Sequence, residues 1–490
     1  MSGAEVIDFP DRGKPPLPHN VDLEQSMLGA ILINNDAFYR VSDFLEPKHF
    51  FEELHQLIFE VCAGLIRAGR IASPITMKDF IPVTGIPNMT GPQYLARLAA
   101  EATTVINALD YGTAIRELAD RRELLAIADD LTARAMNQAE GLQVAEIVEK
   151  TEETLHVLGS RDAAHGGFVR FSDALKGSID MAAKAYQHEG HLSGTPTGLI
   201  DLDHLMGGMQ RTDLIVLAGR TSQGKTALAT TIAHHVSSEY RGRALPDGTI
   251  ETVAGGIVGF FSLEMSAEQL ATRINSAACE IPSSRIRRGD ISEADFTKLA
   301  AGAQVLQSIP LYIEERGGLS IAQIVSRARR LKRQRGLDLL VVDYIQLLTG
   351  TQRQGWNRTN EVTEITTKLK ALAKELDIPI LALSQLSRQV EARENKRPQL
   401  SDLRESGSIE QDADVVLLIF REEYYLKGRE PKPGSDEWFK WEAALKAAEN
   451  KAEIIVAKHR HGPGGSVTLG FEPQFTRFYS LALEHRLPLR

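Results

Sequence analysis

Cysteine is almost missing from the 490-residue chain: only Cys62 and Cys279 occur, and neither belongs to a C-x-x-C pair. That excludes a disulfide framework and a zinc ribbon, and it implies a reducing, cytoplasmic setting. No apolar run approaches the roughly 20 residues that cross a bilayer, so no membrane partner is expected. The start, Met1 to Pro10, lacks the basic head and long apolar stretch of a signal peptide. A basic excess is missing too, since 56 Lys and Arg face 65 Asp and Glu for a net charge of −9. The surface as a whole is therefore not a nucleic-acid platform, and any such site must be a confined loop or channel, because screening limits phosphate contacts to about 8 Å. What remains, 43% hydrophobic and 25% charged residues, suits a globular protein of two or three domains.

The chain reads as four segments. Residues 1–17, with Pro10, Pro15 and Pro16 among charges, read as a flexible arm. Residues 18–158 read as an all-helical interaction domain. Leu23, Met27, Leu28 and Ile31 share one face; Phe50, Leu54, Leu57, Ile58, Val61 and Leu65 share another. Long helical patterns follow from Asn107 to Ala135 and from Val144 to Leu158, and no nucleophile, metal cluster or phosphate loop stands out there. Residues 159–194 open with the small and polar stretch Gly159 to Gly167, a linker composition. An amphipathic stripe of Phe171, Leu175, Ile179, Ala182 and Tyr186 comes next, suited to docking on its own neighbouring domain or on another copy. Residues 195–490 alternate helices with Val/Ile/Leu/Phe-rich runs at 214–218, 256–263, 339–342, 378–383 and 415–420, the pattern of an α/β domain with a mostly parallel sheet. Ala452–Lys458 and Val467–Phe478, joined through Gly462 to Gly465, read as added antiparallel edge strands.

The most informative motif is Gly219-Arg-Thr-Ser-Gln-Gly-Lys-Thr226, which fits G-x-x-x-x-G-K-[ST]. The apolar run Leu214–Ala218 feeds it and a helical run beginning at Ala227 leaves it, which is the strand–loop–helix context the motif requires. Gly219, Ser222, Gln223 and Gly224 lie on a loop whose backbone N–H groups wrap phosphates, and Ala227 follows at the positive end of the helix as a further nucleotide-binding position. Lys225 would reach the β- and γ-phosphates of ATP, and the Thr226 hydroxyl would take a place on Mg²⁺. A second carboxylate, Asp343, ends the apolar run Leu339–Val342 and would hold the same Mg²⁺ through a water. Tyr344 follows Asp343, so the base for the lytic water must come from another strand end, and Glu264 is the candidate. Gln385, at the end of Ile378–Ser384, would contact the γ-phosphate. Lys458 and Arg460, one residue apart, share a side of their strand and form a cation pair of the arginine-finger kind, acting on their own nucleotide or on a neighbour's.

Two loops are candidates for nucleic acid: Arg397 to Gln411, with Arg404, Ser406 and Gly407, and Gly350 to Thr359, with Arg353, Trp356 and Arg358. The basic run Arg327 to Arg335 reads instead as a solvated helix face.

Taken in order, these motifs resemble the DnaB family of bacterial replicative DNA helicases. The resemblance is carried by Leu23-Glu-Gln-Ser-Met-Leu-Gly-Ala-Ile-Leu32, Thr197-Gly-Leu-Ile-Asp-Leu-Asp203, the phosphate loop and Phe261-Ser-Leu-Glu-Met265. It continues through Asp343-Tyr-Ile-Gln346, Ser401 to Asp414 and the Lys458 and Arg460 pair. It implies a RecA-like P-loop ATPase domain behind a helical collar, in a homohexamer that encircles single-stranded DNA and unwinds forked duplex at the replisome. Primase and a helicase loader are the implied partners. Glu264 becomes the catalytic carboxylate, Gln385 the γ-phosphate sensor, and Lys458 and Arg460 cations given to the neighbour's ATP. Arg404, Glu405 and Gly407 fall on the DNA-contacting loop, and the DNA then lies in a central channel, which fits the acidic outer charge. Thr221 and Gln223 depart from the family's usual Pro and Met, and Tyr240–Gly255 and Lys427–Lys451 read as insertions. The competing readings are an ATP-switched ring scaffold or loader, and a RecA-type recombinase.

Overall fold

The computed structural model describes residues 16–81, 89–101, 107–137, 143–160, 170–187, 192–245, 250–350 and 358–481. The arm before Pro16, most of the Gly159–Gly167 linker and the Thr351–Trp356 part of the second loop lie outside them. The chain divides into two compact units, Met1–Val169 and Arg170–Arg490.

The first unit is helical. Asn20 caps the helix Val21–Ile33 by accepting from the Leu23 N–H at 3.1 Å. That helix buries Met27, Leu28 and Ile31 against Ile58, Phe59 and Cys62 of the helix Glu53–Arg67. Burial pushes the Cys62 thiol up to about 12, so it packs as an inert apolar group. Glu24, nearly fully buried, accepts from the Phe51 N–H at 2.6 Å and contacts His55 Nδ1 at 2.7 Å, while His55 Nε2 meets the Tyr94 hydroxyl at 2.7 Å. This satisfied polar chain pins three helices to one register. The helix Ala108–Met136 buries only its first turns; Leu124, Leu125 and Leu131 are exposed, so the apolar stripe expected along its length is core only at its beginning.

The second unit is built on β1 (Leu214–Gly219), β2 (Arg241–Ala244), β3 (Ile250–Ala254), β4 (Val258–Ser262), β5 (Leu311–Glu314) and β6 (Leu339–Asp343). It continues with β7 (Ile380–Gln385), β8 (Val415–Phe420), β9 (Lys451–His459), β10 (Gly465–Glu472) and β11 (Arg477–Ser480). Nine of these form one sheet in the order β11-β10-β9-β8-β1-β7-β6-β4-β5. The six strands from β8 to β5 are parallel, and β9, β10 and β11 extend the β8 edge antiparallel. Strand alternation splits β1 between two cores: Ile215 and Leu217 face one side, Leu214, Val216 and Ala218 the other. Burial on both faces is what makes the parallel strands continuous apolar runs.

Three details differ from the sequence expectation. β5 was not anticipated, because Leu-Tyr-Ile-Glu at a half-covered sheet edge carries a weak apolar signal. Val467–Phe478 is not one strand but two, broken by the turn at Pro473 to Thr476, where Thr476 adopts a φ of 51°. The basic run on the helix Ile321–Arg335 is only partly solvated, since Arg327 pairs with Glu314, Arg329 grips Glu375 with two bonds of 2.7 Å, and Lys332 donates to the Leu337 carbonyl. The two insertions fold as the β2–β3 hairpin, with residues 246–249 outside the described set, and as the helix Asp436–Ala448, which Ser435 caps. The amphipathic stripe forms the helix Phe171–Gln187, on which Phe171, Leu175 and Ile179 are exposed.

Candidate functional site: two ends of one sheet

The carboxyl end of the parallel strands gathers the phosphate chemistry. β1 is wholly buried and delivers Gly219 to the start of the loop, where a Cβ would lie 2.3 Å from the Ile419 side chain. Gly224, at φ 103°, turns the chain into the helix Lys225–Ser238. Lys225 Nζ lies 3.3 Å from the Arg220 carbonyl; burial pulls its pKa down, while Asp343 and Glu264 work against that. Ala227 is buried in the first turn of the helix.

Asp343 ends β6 at 2% exposure, and its Oδ1 has no hydrogen-bond partner. Burial pushes its carboxyl up to about 6, Glu264 adds to the rise, and a hydrogen bond from Thr226 together with Lys225 and Arg273 opposes it. An orphaned carboxylate oxygen beside a threonine hydroxyl is the donor set that Mg²⁺ favours, so these residues fit the ion. Glu264 sits two residues past β4, exposed, and Ser262 of that strand is in register with Asp343.

Gln385 is in register with Gly219 across β7 and β1, and its amide donates to the Thr221 hydroxyl at 2.9 Å. Gln346 fixes that strand end by donating to Ser384 Oγ at 2.8 Å and accepting from the Gln385 N–H at 3.2 Å. Gln223 is buried, and its Oε1 accepts from the Arg421 N–H at 2.9 Å, knitting the loop to the end of β8. Both departures from the usual motif thus supply hydrogen bonds. Ser222 is left-handed at φ 66°.

Sequence reasoning missed Arg273. It lies on the helix Ala267–Cys279, which Ser266 and Gln269 cap, and it feels both Asp343 and Glu264 while burial lowers its pKa. No motif flags it; only the return of that helix over the strand ends brings it in.

Lys458 and Arg460 are elsewhere. β9 runs antiparallel to β8 and pairs Lys458 with Val416, four residues before Phe420. At roughly 3.3 Å per residue, about 13 Å of strand separates the pair from the end of β8 beside the phosphate loop. Lys458 Nζ donates to the carbonyls of Glu410 (2.5 Å), Ala413 (2.7 Å) and Gln411 (3.3 Å). Arg460 donates to the Gln411 carbonyl and to Asp414 Oδ1 (3.3 Å). Asp414 also accepts from the Leu214 N–H at 2.8 Å and from Lys370 at 2.5 Å. Beside it, burial and Asp414 push the Asp213 carboxyl upward. Asp213, Asp414 and His461 bring potential ligand atoms within 4.8 Å of one another, yet Lys370 and Arg460 already neutralise Asp414, and a dication would meet both. The DNA-loop candidates lie on the short helical stretch Leu400–Ser406 and at the head of the helix Gly407–Asp412; the side chains of Arg404 and Glu405 lie outside what is described.

Compared with known proteins, residues 194–480 match the DnaB-like helicase C-terminal domain and residues 16–117 the DnaB-like helicase N-terminal domain. The chain belongs to the DnaB-like helicase family. Among its DnaB-like relatives, the replicative DNA helicase of Rickettsia typhi is 42% identical over 95% of this chain and 93% of that protein. That of Geobacillus stearothermophilus is 35% identical over 95% of each. A solved DnaB-like replicative helicase, described with its interactions with primase, superposes with a TM-score of 0.70 at 28% identity over 94% of this chain and all of that one. A solved ATPase domain covers 64% of this chain and all of its own, at 33% identity and a TM-score of 0.54. As a DnaB-like replicative DNA helicase, the chain couples nucleotide binding and ATP hydrolysis to DNA. Among the described residues no helix is long and apolar enough to cross a membrane.

Proposed function

We propose that each copy holds ATP at its carboxyl-end site and that the neighbouring copy completes that site with Lys458 and Arg460. One observation carries this reading: within a single chain the cation pair stands at the opposite end of the sheet from the phosphate loop. Loop N–H groups and Lys225 bind and orient the phosphates, and Lys225 and Arg273 offset their charge in cis. Thr226 and Asp343 would hold Mg²⁺, which when bound supplies charge neutralisation across the phosphates. Glu264, exposed at the mouth of the site, takes the proton of the attacking water. Gln385, held by Gln346 against Thr221, reads the presence of the γ-phosphate.

The copies form a homohexameric ring around single-stranded DNA, with Arg404, Glu405 and Gly407 on the strand-gripping loop. The exposed apolar face of the helix Phe171–Gln187 supports such contacts between copies. The helical N-terminal unit forms the collar that engages primase, a loader places the ring on DNA, and the assembly works at the cytoplasmic replisome. A forked-duplex assay with ATP tests this reading: strand separation by the native chain and none by Lys225→Ala is expected. ATP hydrolysis without any strand separation would move the chain to the scaffold class.

A further inference from the structure

The cation pair is not loose on the surface. A lysine ammonium has three donors, and Lys458 places all three on main-chain carbonyls at the end of the helix Gly407–Asp412, groups that a helix terminus leaves without internal partners. Arg460 takes its side-chain bonds from the same stretch, and its N–H donates to the Asp414 carbonyl at 2.9 Å. The seat is itself fixed. Asp414 is 2% exposed and tied to β1 and Lys370, and Asp412 accepts from Thr366 at 2.6 Å and Thr367 at 3.1 Å on the helix Arg358–Leu376. The other end of this six-residue helix is Gly407, at the candidate DNA loop, only about 9 Å away at 1.5 Å per residue.

We infer that Asp414 and the carbonyls closing the Gly407–Asp412 helix are the positioning group for Lys458 and Arg460, so that DNA at one end of the helix sets where the pair stands at the other. This rests on the reading above, in which the pair serves the neighbouring copy.

The test uses full-length chains and mixed assemblies. Asp414→Asn should lower kcat for ATP ten- to hundredfold, the loss expected from misplacing a catalytic group by about 1 Å. KM for ATP should stay within about twofold, and stimulation of hydrolysis by single-stranded DNA should be lost. Mixed with Glu264→Ala chains, it should regain activity, because some interfaces then join an intact cation donor to an intact acceptor. Mixed with Arg460→Ala chains it should regain none, since every donor is then defective.

The control mixture of Arg460→Ala with Glu264→Ala separates two failures. No recovery there overturns the neighbour reading itself. Recovery there, with Asp414→Asn rescued by Arg460→Ala and not by Glu264→Ala, places Asp414 on the acceptor side and overturns the inference alone, as does undiminished DNA stimulation. Should Asp414→Asn fail to fold, Asp412→Ala loosens the same seat without touching the buried carboxylate, and must show the same donor-side pattern in weaker form.

Discussion

At the carboxyl end of the sheet, Asp343 keeps one buried oxygen without a partner; at the amino end, Asp414 has both oxygens bonded, to Leu214, Lys370 and Arg460. Both are about 2% exposed and both sit among cations. The difference lies in saturation, and it separates two kinds of buried charge. An unsatisfied acceptor is costly on its own, and beside the Thr226 hydroxyl and the phosphate loop it fits a cation that arrives with the ligand. A saturated one is a fixture that orients what it holds.

The sharpest way to break the comparison is to remove a charge from each end separately. Arg460→Ala should lower ATP turnover by about 10³-fold, the loss seen with an absent arginine finger, while leaving nucleotide binding intact. Lys225→Ala should lose the binding itself. Equilibrium titration of a fluorescent ATP analogue, run beside steady-state hydrolysis, distinguishes the two, and loss of binding in both would merge the ends.

Acidity probes the carboxyl end through Asp343. Burial pushes the Asp343 carboxyl up to about 6, and a proton taken up there would compete with the proposed metal. Magnesium-dependent nucleotide binding should therefore weaken as pH falls through about 6, by up to about tenfold per pH unit, as one linked proton dictates. Asp343→Asn should flatten that profile, and a profile unchanged by this variant would place the titrating group elsewhere.

Smaller effects follow. Arg404→Ala should weaken single-stranded DNA binding and lower the log–log salt slope by about 1, without changing nucleotide affinity in the absence of DNA. An unchanged slope would move the strand contact away from this loop. Smallest is Thr221→Val, which removes the partner of the Gln385 amide. One exposed hydrogen bond is worth about 1 kcal/mol, so hydrolysis should shift by no more than about fivefold.

Much of this architecture was legible in the residues because strand burial and phosphate binding each demand local patterns. Leu214–Ala218 before a glycine-rich loop admits few alternatives, and Leu339–Val342 before Asp343 repeats the logic. Antiparallel strands at the edge were readable from Ala452–Lys458 and the glycine-rich turn beyond it. What escaped depends on approach in three dimensions. Arg273 is nine positions beyond Glu264 on an ordinary capped helix, and no spacing rule announces that its guanidinium comes back to Asp343. Gln346 belonged to a quoted motif without a role until it was seen gripping both Ser384 and Gln385. The side chain spacing placed Lys458 and Arg460 on one side of a strand, but only the pairing of β9 with β8 revealed which end of the sheet they occupy.

Under the proposed donation to the neighbour, that reversal of direction at β9 would have a regulatory consequence. If the neighbouring copy supplies Lys458 and Arg460, as we propose, a solitary copy would load its triphosphate yet split it poorly, because its own Lys458 and Arg460 stand at the far end of the sheet. Under that proposal idle consumption would be curbed without any inhibitor: dilution alone would silence the motor, and closure of the ring would be its ignition.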